Sequence, residues 1–303
     1  MRFKQLDLNL LVALDHLLAL QSVSLAADRM NMSQSAMSNA LTRLRTYFDD
    51  PLLVQVGRRM ELTPRAESMQ MAVRDILVRV EATIQSAPVF DPANSNREFK
   101  ILLSDYTMSV LMPHVLALAD EEGSSVRFNL LAQTDQPYLL LDQGEADMLI
   151  APSVIVSPDH PSEHVYRDRY VCVVWRDGRY GDAPLTQEMF REAGHAIMVP
   201  PNRAHSFETE ALAAHGVERR IEVRTFSFSV LPNLIVGTDR IATVHGHIAR
   251  NLVGKLPLSV HPLPFDIGVL DQTMQWHGYR DTDPGLIWLR GLMRRAGAML
   301  DEH

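Results

Sequence analysis

The 303-residue chain has one cysteine, Cys172, so it can form no internal disulfide. Its setting in the apolar run YVCVVW marks a buried, inert thiol rather than a nucleophile. No stretch of about eighteen apolar residues occurs, so no membrane-spanning helix is expected. A charged-then-apolar export signal is also missing, because Asp7, Asn9, Asp15 and His16 interrupt MRFKQLDLNLLVALDHLL. A cytoplasmic location is therefore expected. There is no G-x-S-x-G elbow, P-loop or G-x-G-x-x-G, which argues against the familiar hydrolase and nucleotide-dependent enzymes. Internal repeats and low-complexity tracts are absent too. An exported solute-binding protein is a third class, opposed by the missing signal.

The chain also lacks an overall basic excess, with a formal net charge of −8. The charge is unevenly distributed. Up to Arg65 there are eight Lys and Arg against six Asp and Glu, leaving 21 against 31 of the totals of 29 and 37. The small basic excess lies at the N-terminal end. A single copy would bind a polyanion weakly, so assembly from two or more copies is expected.

What is present begins with an amphipathic helix over residues 7–20, carried by Leu8, Leu11, Val12, Leu14, Leu17 and Leu18. SVSLAADRMNMSQSAMSNALTRLRTYF, from Ser22 to Phe48, then reads as two helices joined by a tight turn. Ser22 or Ser24 caps the first, where Leu25, Ala26 and Ala27 are expected to face inward. Asn31-Met32 makes the turn, and Ser33 caps the second helix. In that helix Ala36, Met37, Ala40, Leu41, Leu44 and Phe48 form the inner stripe, leaving Gln34, Ser35, Ser38, Asn39, Thr42 and Arg43 outside. Ser, Asn and Gln side chains can read base edges, and Arg can hold guanine or phosphate. The candidate DNA contacts are thus Ser33, Gln34, Ser35, Ser38, Asn39 and Arg43. Residues 52–56 and 60–63, around Gly57-Arg58-Arg59, form a small hairpin whose arginines can reach the backbone or minor groove.

Pro64 opens a further helix to about Ser86. Met69, Val73, Ile76, Val80 and Thr83 follow alternating four and three spacing, a seam suited to pairing with a second copy. Packing on its own domain is the alternative. PVFDPANSN is a turn-rich hinge. The domains are thus 1–63 for DNA binding, 64–87 for the linker helix, 88–96 for the hinge and 97–303 for the remainder. From Phe99 on, FKILLS, VRFNLLA, MLIAP, YVCVVW, AIMVP, IEVRTF, IATV and LSVHPL alternate with helices. That implies an α/β fold with a parallel-rich sheet, in two lobes with a cleft between them. The C-terminal WLRGLMRRAGAML closes the chain as a helix.

DLNLLVALDHLL, SLAADRMNMSQSAMSNALTRLR, ELTPRAE and the α/β remainder resemble the LysR-type transcriptional regulators over nearly the whole length. FDPANSNREFKILLSDY, RYVCVVWRDG, DRIATV and YRDTDPGLIWLR are similar to the subgroup of nodulation regulators and regulators of nitroaromatic, salicylate and chlorophenol breakdown. The resemblance implies a winged helix-turn-helix, a dimerising helix and a two-lobed effector domain like a periplasmic binding protein. It further implies a dimer of dimers on an interrupted palindrome in double-stranded DNA, acting on RNA polymerase when an inducer enters the cleft. Two positions depart from the family pattern: Ser35 stands where Pro is frequent, and Gln55 where Arg is frequent, which puts one phosphate contact in doubt.

α/β lobes bind ligands outside the carboxyl ends of their strands. Ser104, Asp105, Tyr106 and Thr107 follow FKILL, and Gln133-Thr134 ends the next strand. In the second lobe Asn202, His205 and Ser206 follow AIMVP. The resemblance favours His205 and sets Asp168 where a relative has a pocket histidine. Phe226, Phe228, Trp276 and His277 are candidate aromatic walls. The competing readings are plain core for the aromatics and a helix cap for Ser104. His245-Gly246-His247 lacks a third ligand and makes a weak metal motif. No cofactor is expected beyond a small inducer. An activator of aromatic catabolic genes responding to a chlorinated hydroquinone or phenol is the leading expectation, with a flavonoid-like inducer or other organic acid as the alternative.

Overall fold

A computed structural model describes residues 6–57, 59–85, 89–134, 136–182, 184–200 and 206–302. Its backbone divides into two compact units, one mainly of residues 1–86 and the other mainly of residues 87–303.

The first unit starts with α1 (Leu8–Leu20), α2 (Val23–Arg29) and α3 (Gln34–Phe48). Each has a side-chain cap: Asp7, Ser22 and Ser33 accept from Leu10 N, Leu25 N and Ala36 N. α2 ends as expected at Asn31, which sits at φ +51, with Met32 N donating back to Ala27 O. Ala26 and Ala27 are sealed between helices, but Leu25 is 55% exposed, because a seven-residue helix on this core has only a narrow inner face. The hairpin is β1 (Leu53–Val56) and β2 (Arg59–Leu62), paired antiparallel, with Gly57 at φ +64. Arg58 lies outside the described residues.

The helix α4 (Pro64–Gln85) follows. Val73 is 5% exposed and Met69 half-buried, both against the unit's own core beside Leu14, Leu17 and Leu18. Asp15, which breaks the apolar pattern of α1, is buried and paired with Arg74 of α4 at 3.0 Å. The proposed pairing seam is therefore split: its first two members pack on their own domain, whereas Ile76 remains 48% exposed and Val80 half-buried.

Among its described residues the second unit holds nine strands: β3 (Glu98–Leu103), β4 (Arg127–Ala132), β5 (Met148–Pro152), β6 (Ser162–Trp175), β7 (Gly194–Met198), β8 (Arg220–Thr225), β9 (Arg240–His245), β10 (Leu258–Pro262) and β11 (Val269–Gln275). Between them lie α5 (Asp105–Val110), α6 (Met112–Glu121), α7 (Tyr138–Asp142), α8 (Gln187–Glu192), α9 (Phe207–Ala214), α10 (Leu231–Ile235) and α11 (Gly246–Leu252), and α12 (Pro284–Asp301) closes the chain. The order is β4-β3-β5-β11-β6-β9-β7-β8, with β10 also on β6. Each lobe has three parallel strands, β4-β3-β5 and β8-β7-β9. The 14-residue β6 joins them, pairing with β11 along its first part and with β9 and β10 along its second. β6 begins eight residues before the apolar run that marks it in sequence, because the alternation in SEHVYRDR is masked by charge.

α12 packs on β6 with Gly297 against the Val165 carbonyl, where a Cβ would come within 2.0 Å of the oxygen. Arg97 anchors the helix start through two hydrogen bonds to Asp283, of 2.7 and 2.8 Å. Burial raises the Asp283 carboxyl, but these bonds and the Arg97 charge outweigh it and hold it below its ordinary range. No described helix is long and apolar enough to cross a membrane.

Candidate DNA-reading face and effector cleft

On α3, Met37, Ala40, Leu41 and Leu44 are buried, while Ser33, Gln34, Ser35, Ser38, Asn39, Thr42 and Arg43 are exposed. Ser33 is partly committed: its hydroxyl accepts from Ala36 N at 3.2 Å and lies 3.0 Å from the Ser35 hydroxyl. Thr42 donates back to Ser38 O. Gln34, Ser38 and Asn39 thus present the clearest side-chain face for base edges. Arg43 meets Asp7 at 3.3 Å, with both side chains more than half exposed. Such a surface pair is weak and easily exchanged for a phosphate.

Spacing along the chain carries no signal for what steers the wing. Arg45 donates to the carbonyls of Pro51 and Leu53 at 2.7 and 2.9 Å, clamping the α3 end to β1. Asp50 accepts from Thr63 Oγ1 and Leu52 N, both at 2.7 Å, and these bonds, the Thr63 one foremost, hold its carboxyl below the usual range. Leu52 is thereby kept at φ +60 while its side chain is buried. Arg59 follows at the exposed hairpin end, and Gln55 turns its amide to Gly57 O.

In the second unit the strand directions locate the cleft. β11 is antiparallel to β5 and to β6, so β5 and β6 run the same way, whereas β9 runs against β6. The carboxyl ends of the two parallel sets therefore point at each other. Pro152 of β5 pairs through Gln272 with Tyr166, and His245 of β9 pairs with Tyr170. The two switch edges meet over residues 166–170 of β6, with Asp168 at the centre.

Asp168 is 7% exposed. Its Oδ2 accepts from Tyr106 Oη at 2.6 Å and from His247 N at 3.1 Å, and its Oδ1 from Arg169 N at 2.7 Å. Tyr106 stacks on His245 with ring centres 3.6 Å apart, and Phe228 meets the same imidazole edge-on at 4.5 Å. Burial lowers the His245 pKa to about 3, and burial likewise raises the Tyr106 phenol, so both rings stay neutral. Asp105 bridges the lobes: its carboxylate accepts from Ser227 Oγ at 2.7 Å and Ser229 N at 2.9 Å.

Of the first-lobe candidates Asp105 and Tyr106 reach the edge, and several other polar groups are already engaged. Ser104 is the cap of α5, accepting from Thr107 N, and Thr107 is fully buried. Gln133 donates to Ile150 O at 2.7 Å, and Thr134 is exposed. Asn202 and His205 lie outside the described residues. Ser206 is buried and bonded to Glu208, which pairs with Arg219. Burial pushes the Glu208 carboxyl up against that pairing.

Three aromatic expectations are corrected. Phe226 follows β8 but is 79% exposed, so it walls no enclosed pocket. Trp276 and His277 follow the end of β11 that pairs with Ser162, six residues from Asp168 along β6, roughly 20 Å. Trp276 is core there, donating to Asp281 at 3.0 Å beneath Arg290, and His277 caps a short turn by accepting from Tyr279 N. The antiparallel return of β11 carries them away from the cleft. Ser227, Ser229 and His245 take the places at the edge; the two serines carry no sequence signal beyond following a strand, and His245 stands out in sequence only within the weak His245-Gly246-His247 metal motif.

The N-terminal part matches the model of the bacterial regulatory helix-turn-helix protein, lysR family, over residues 8–67, and residues 93–298 match the LysR substrate binding domain. Nodulation protein D of Bradyrhizobium sp. (strain ANU 289) is 38% identical over 309 residues, spanning 100% of this chain and 90% of that one. Nodulation protein D 1 of Neorhizobium galegae is 40% identical over 304 residues, spanning 97% and 95%. Among solved structures, PA0477 of Pseudomonas aeruginosa, described as a probable transcriptional regulator, superposes with a TM-score of 0.66 at 28% identity over 97% of this chain and 98% of its own. ArgP of Mycobacterium tuberculosis, at 15% identity, TM-score 0.69 and coverage of 97% and 98%, shares the fold.

Proposed function

The chain belongs to the LysR family of DNA-binding transcriptional regulators and is not an enzyme, and on that premise we propose that it activates its target genes when a small phenolic aromatic ligand enters the cleft over Asp168. The carrying observation is the convergence of both parallel strand sets on residues 166–170, where Asp105 and Tyr106 of one lobe bond to Ser227, Ser229 and Asp168. A ligand hydroxyl that competes for these groups would alter how the lobes are held, and differential interactions of that kind are what shift a two-state equilibrium.

Two inducer chemistries compete. Full-length similarity to nodulation proteins favours a flavonoid-like polyphenol and genes of that kind. A chlorinated hydroquinone, with aromatic catabolic genes as targets, is the other. The active form is a homotetramer, a dimer of dimers on an interrupted palindrome that repositions RNA polymerase, in the cytoplasm. Titrating the protein by calorimetry with a hydroxylated flavone and with chlorohydroquinone separates the two. Saturable binding of one, weakened in Asp105→Asn, supports the cleft; binding of neither removes the phenolic reading.

A further inference from the structure

A second concavity, of about 810 Å³, opens on the face of the crossing strand β6 that carries Arg167, Arg169 and Val171. Residues of α11, β10, β11 and the end of α12 complete it, among them Arg250, Val260 and Leu300. Its volume suits a small-molecule site.

Three arginines and three aspartates line it, but the aspartates are engaged away from the guanidinium groups of Arg169 and Arg250. Asp271 is taken by His164 at 2.5 Å with Arg167 at 3.9 Å, and Asp301 by Arg167 N at 2.8 Å with His164 at 3.6 Å. Asp168 is saturated by Tyr106, His247 N and Arg169 N. Among the described residues no carboxylate pairs with the guanidinium of Arg169 or of Arg250. Arg250 is nonetheless aimed. His247 donates from Nε2 to the Arg167 carbonyl at 3.1 Å, which leaves Nδ1 to accept from the Arg250 guanidinium. The wall thus offers two planar, always-charged donors that no described carboxylate pairs with, beside apolar Val171, Val260, Val269 and Leu300.

We infer that this concavity is a second ligand site for an amphipathic organic monoanion, a carboxylate or sulfonate on an aryl or hydrocarbon body. Arg169 and Arg250 hold the anionic group and the valines and Leu300 cover the apolar part. Cations are disfavoured because the carboxylates facing the space are already engaged. The concavity shares Asp168 and His247 with the edge of the cleft but is lined by the Arg167, Arg169 and Val171 side of β6 rather than by Tyr106 and His245, and the test reads binding alone.

Calorimetric titration of the full chain with 2-naphthoate, beside its neutral isostere 2-naphthamide, is the experiment. Naphthoate should bind saturably, and the amide at least about tenfold more weakly. Arg169→Gln with Arg250→Gln should cost a similar factor, whereas Arg169→Lys with Arg250→Lys should keep most of the affinity. Both arginines are exposed, and a thermal melt checks that the variants fold. Unchanged naphthoate affinity in the double Gln variant would place the anion elsewhere and overturn the proposal, as would equal binding of the amide or no binding by the parent protein.

Discussion

Tyr106 donates its hydroxyl to Asp168 at 2.6 Å, joining the first turn after β3 to the midpoint of the strand that crosses between the lobes. The pair is buried, so the bond cannot be replaced by water at no cost. Tyr106→Phe should destabilise the effector unit by about 1.5–3 kcal/mol, the usual worth of a hydrogen bond to a charged group. Urea unfolding measures this. A change below about 0.5 kcal/mol would mean that the carboxylate finds another donor.

Acid should weaken the fold through two histidines. His245 is enclosed by Tyr106, Tyr170 and Phe228, and burial, with the nearby His247 adding to it, lowers its pKa to about 3. For His195 burial, partly opposed by its bond to the Phe190 carbonyl, gives about 4. The unfolded chain takes a proton on each near the ordinary value of about 6.5, while the folded chain resists. Stability is therefore full above that value and is lost as pH falls from about 6.5 toward 4, by about 1.4 kcal/mol per pH unit per histidine. His245→Phe should remove one proton's share of that slope in urea midpoints between about pH 6.5 and 4.5, and an identical slope would contradict the assignment.

Much of this was legible in the sequence, for identifiable reasons. Ser33, Asn31 and the Met37–Leu44 stripe act within one turn of themselves, so spacing reveals them. Most parallel strands of both lobes are short apolar runs and were visible for the same reason, whereas β8, RIEVRT, shows only an alternation of charged and apolar residues. What escaped depends on pairing across the chain. Trp276 and His277 look like cleft residues until the antiparallel register of β11 carries them to the far end. Arg97 and Asp283 are 186 residues apart, and neither position differs in sequence from any other surface charge. Met69 and Val73 share a seam with Ile76 by spacing, and only the position of α1 shows which of them is already covered.

That split gives a pairing test. Ile76→Asp should reduce self-association in analytical ultracentrifugation without lowering the melting temperature of the N-terminal unit. Val73→Asp, which buries a charge in the same unit, should unfold it. The reverse pattern would place the pairing surface off α4.

Gly297→Ala should destabilise the effector unit by more than about 1 kcal/mol, since the added carbon meets the Val165 carbonyl rather than a movable side chain. A thermal melt reads this directly, and Gly291→Ala, where a Cβ meets nothing within 4 Å, is the matched control. Equal melting of the two variants would show that α12 shifts to admit the methyl.

The wing should contribute charge without sequence preference. Arg59→Ala and Arg58→Ala should each flatten the plot of log affinity against log salt by about 0.9 for every phosphate the wing no longer neutralises. The same proportional weakening on specific and random DNA is expected, and an unaltered slope would take the wing off the backbone.

The most direct test of the central claim is fluorescence anisotropy of the protein on its own upstream DNA and on random duplex of equal length, at one salt concentration. A base-reading α3 predicts a preference for the upstream fragment of at least about a thousandfold, falling steeply in Gln34→Ala with Asn39→Ala while random binding hardly changes. Equal affinity for the two duplexes, or a double variant that keeps the full preference, would contradict it.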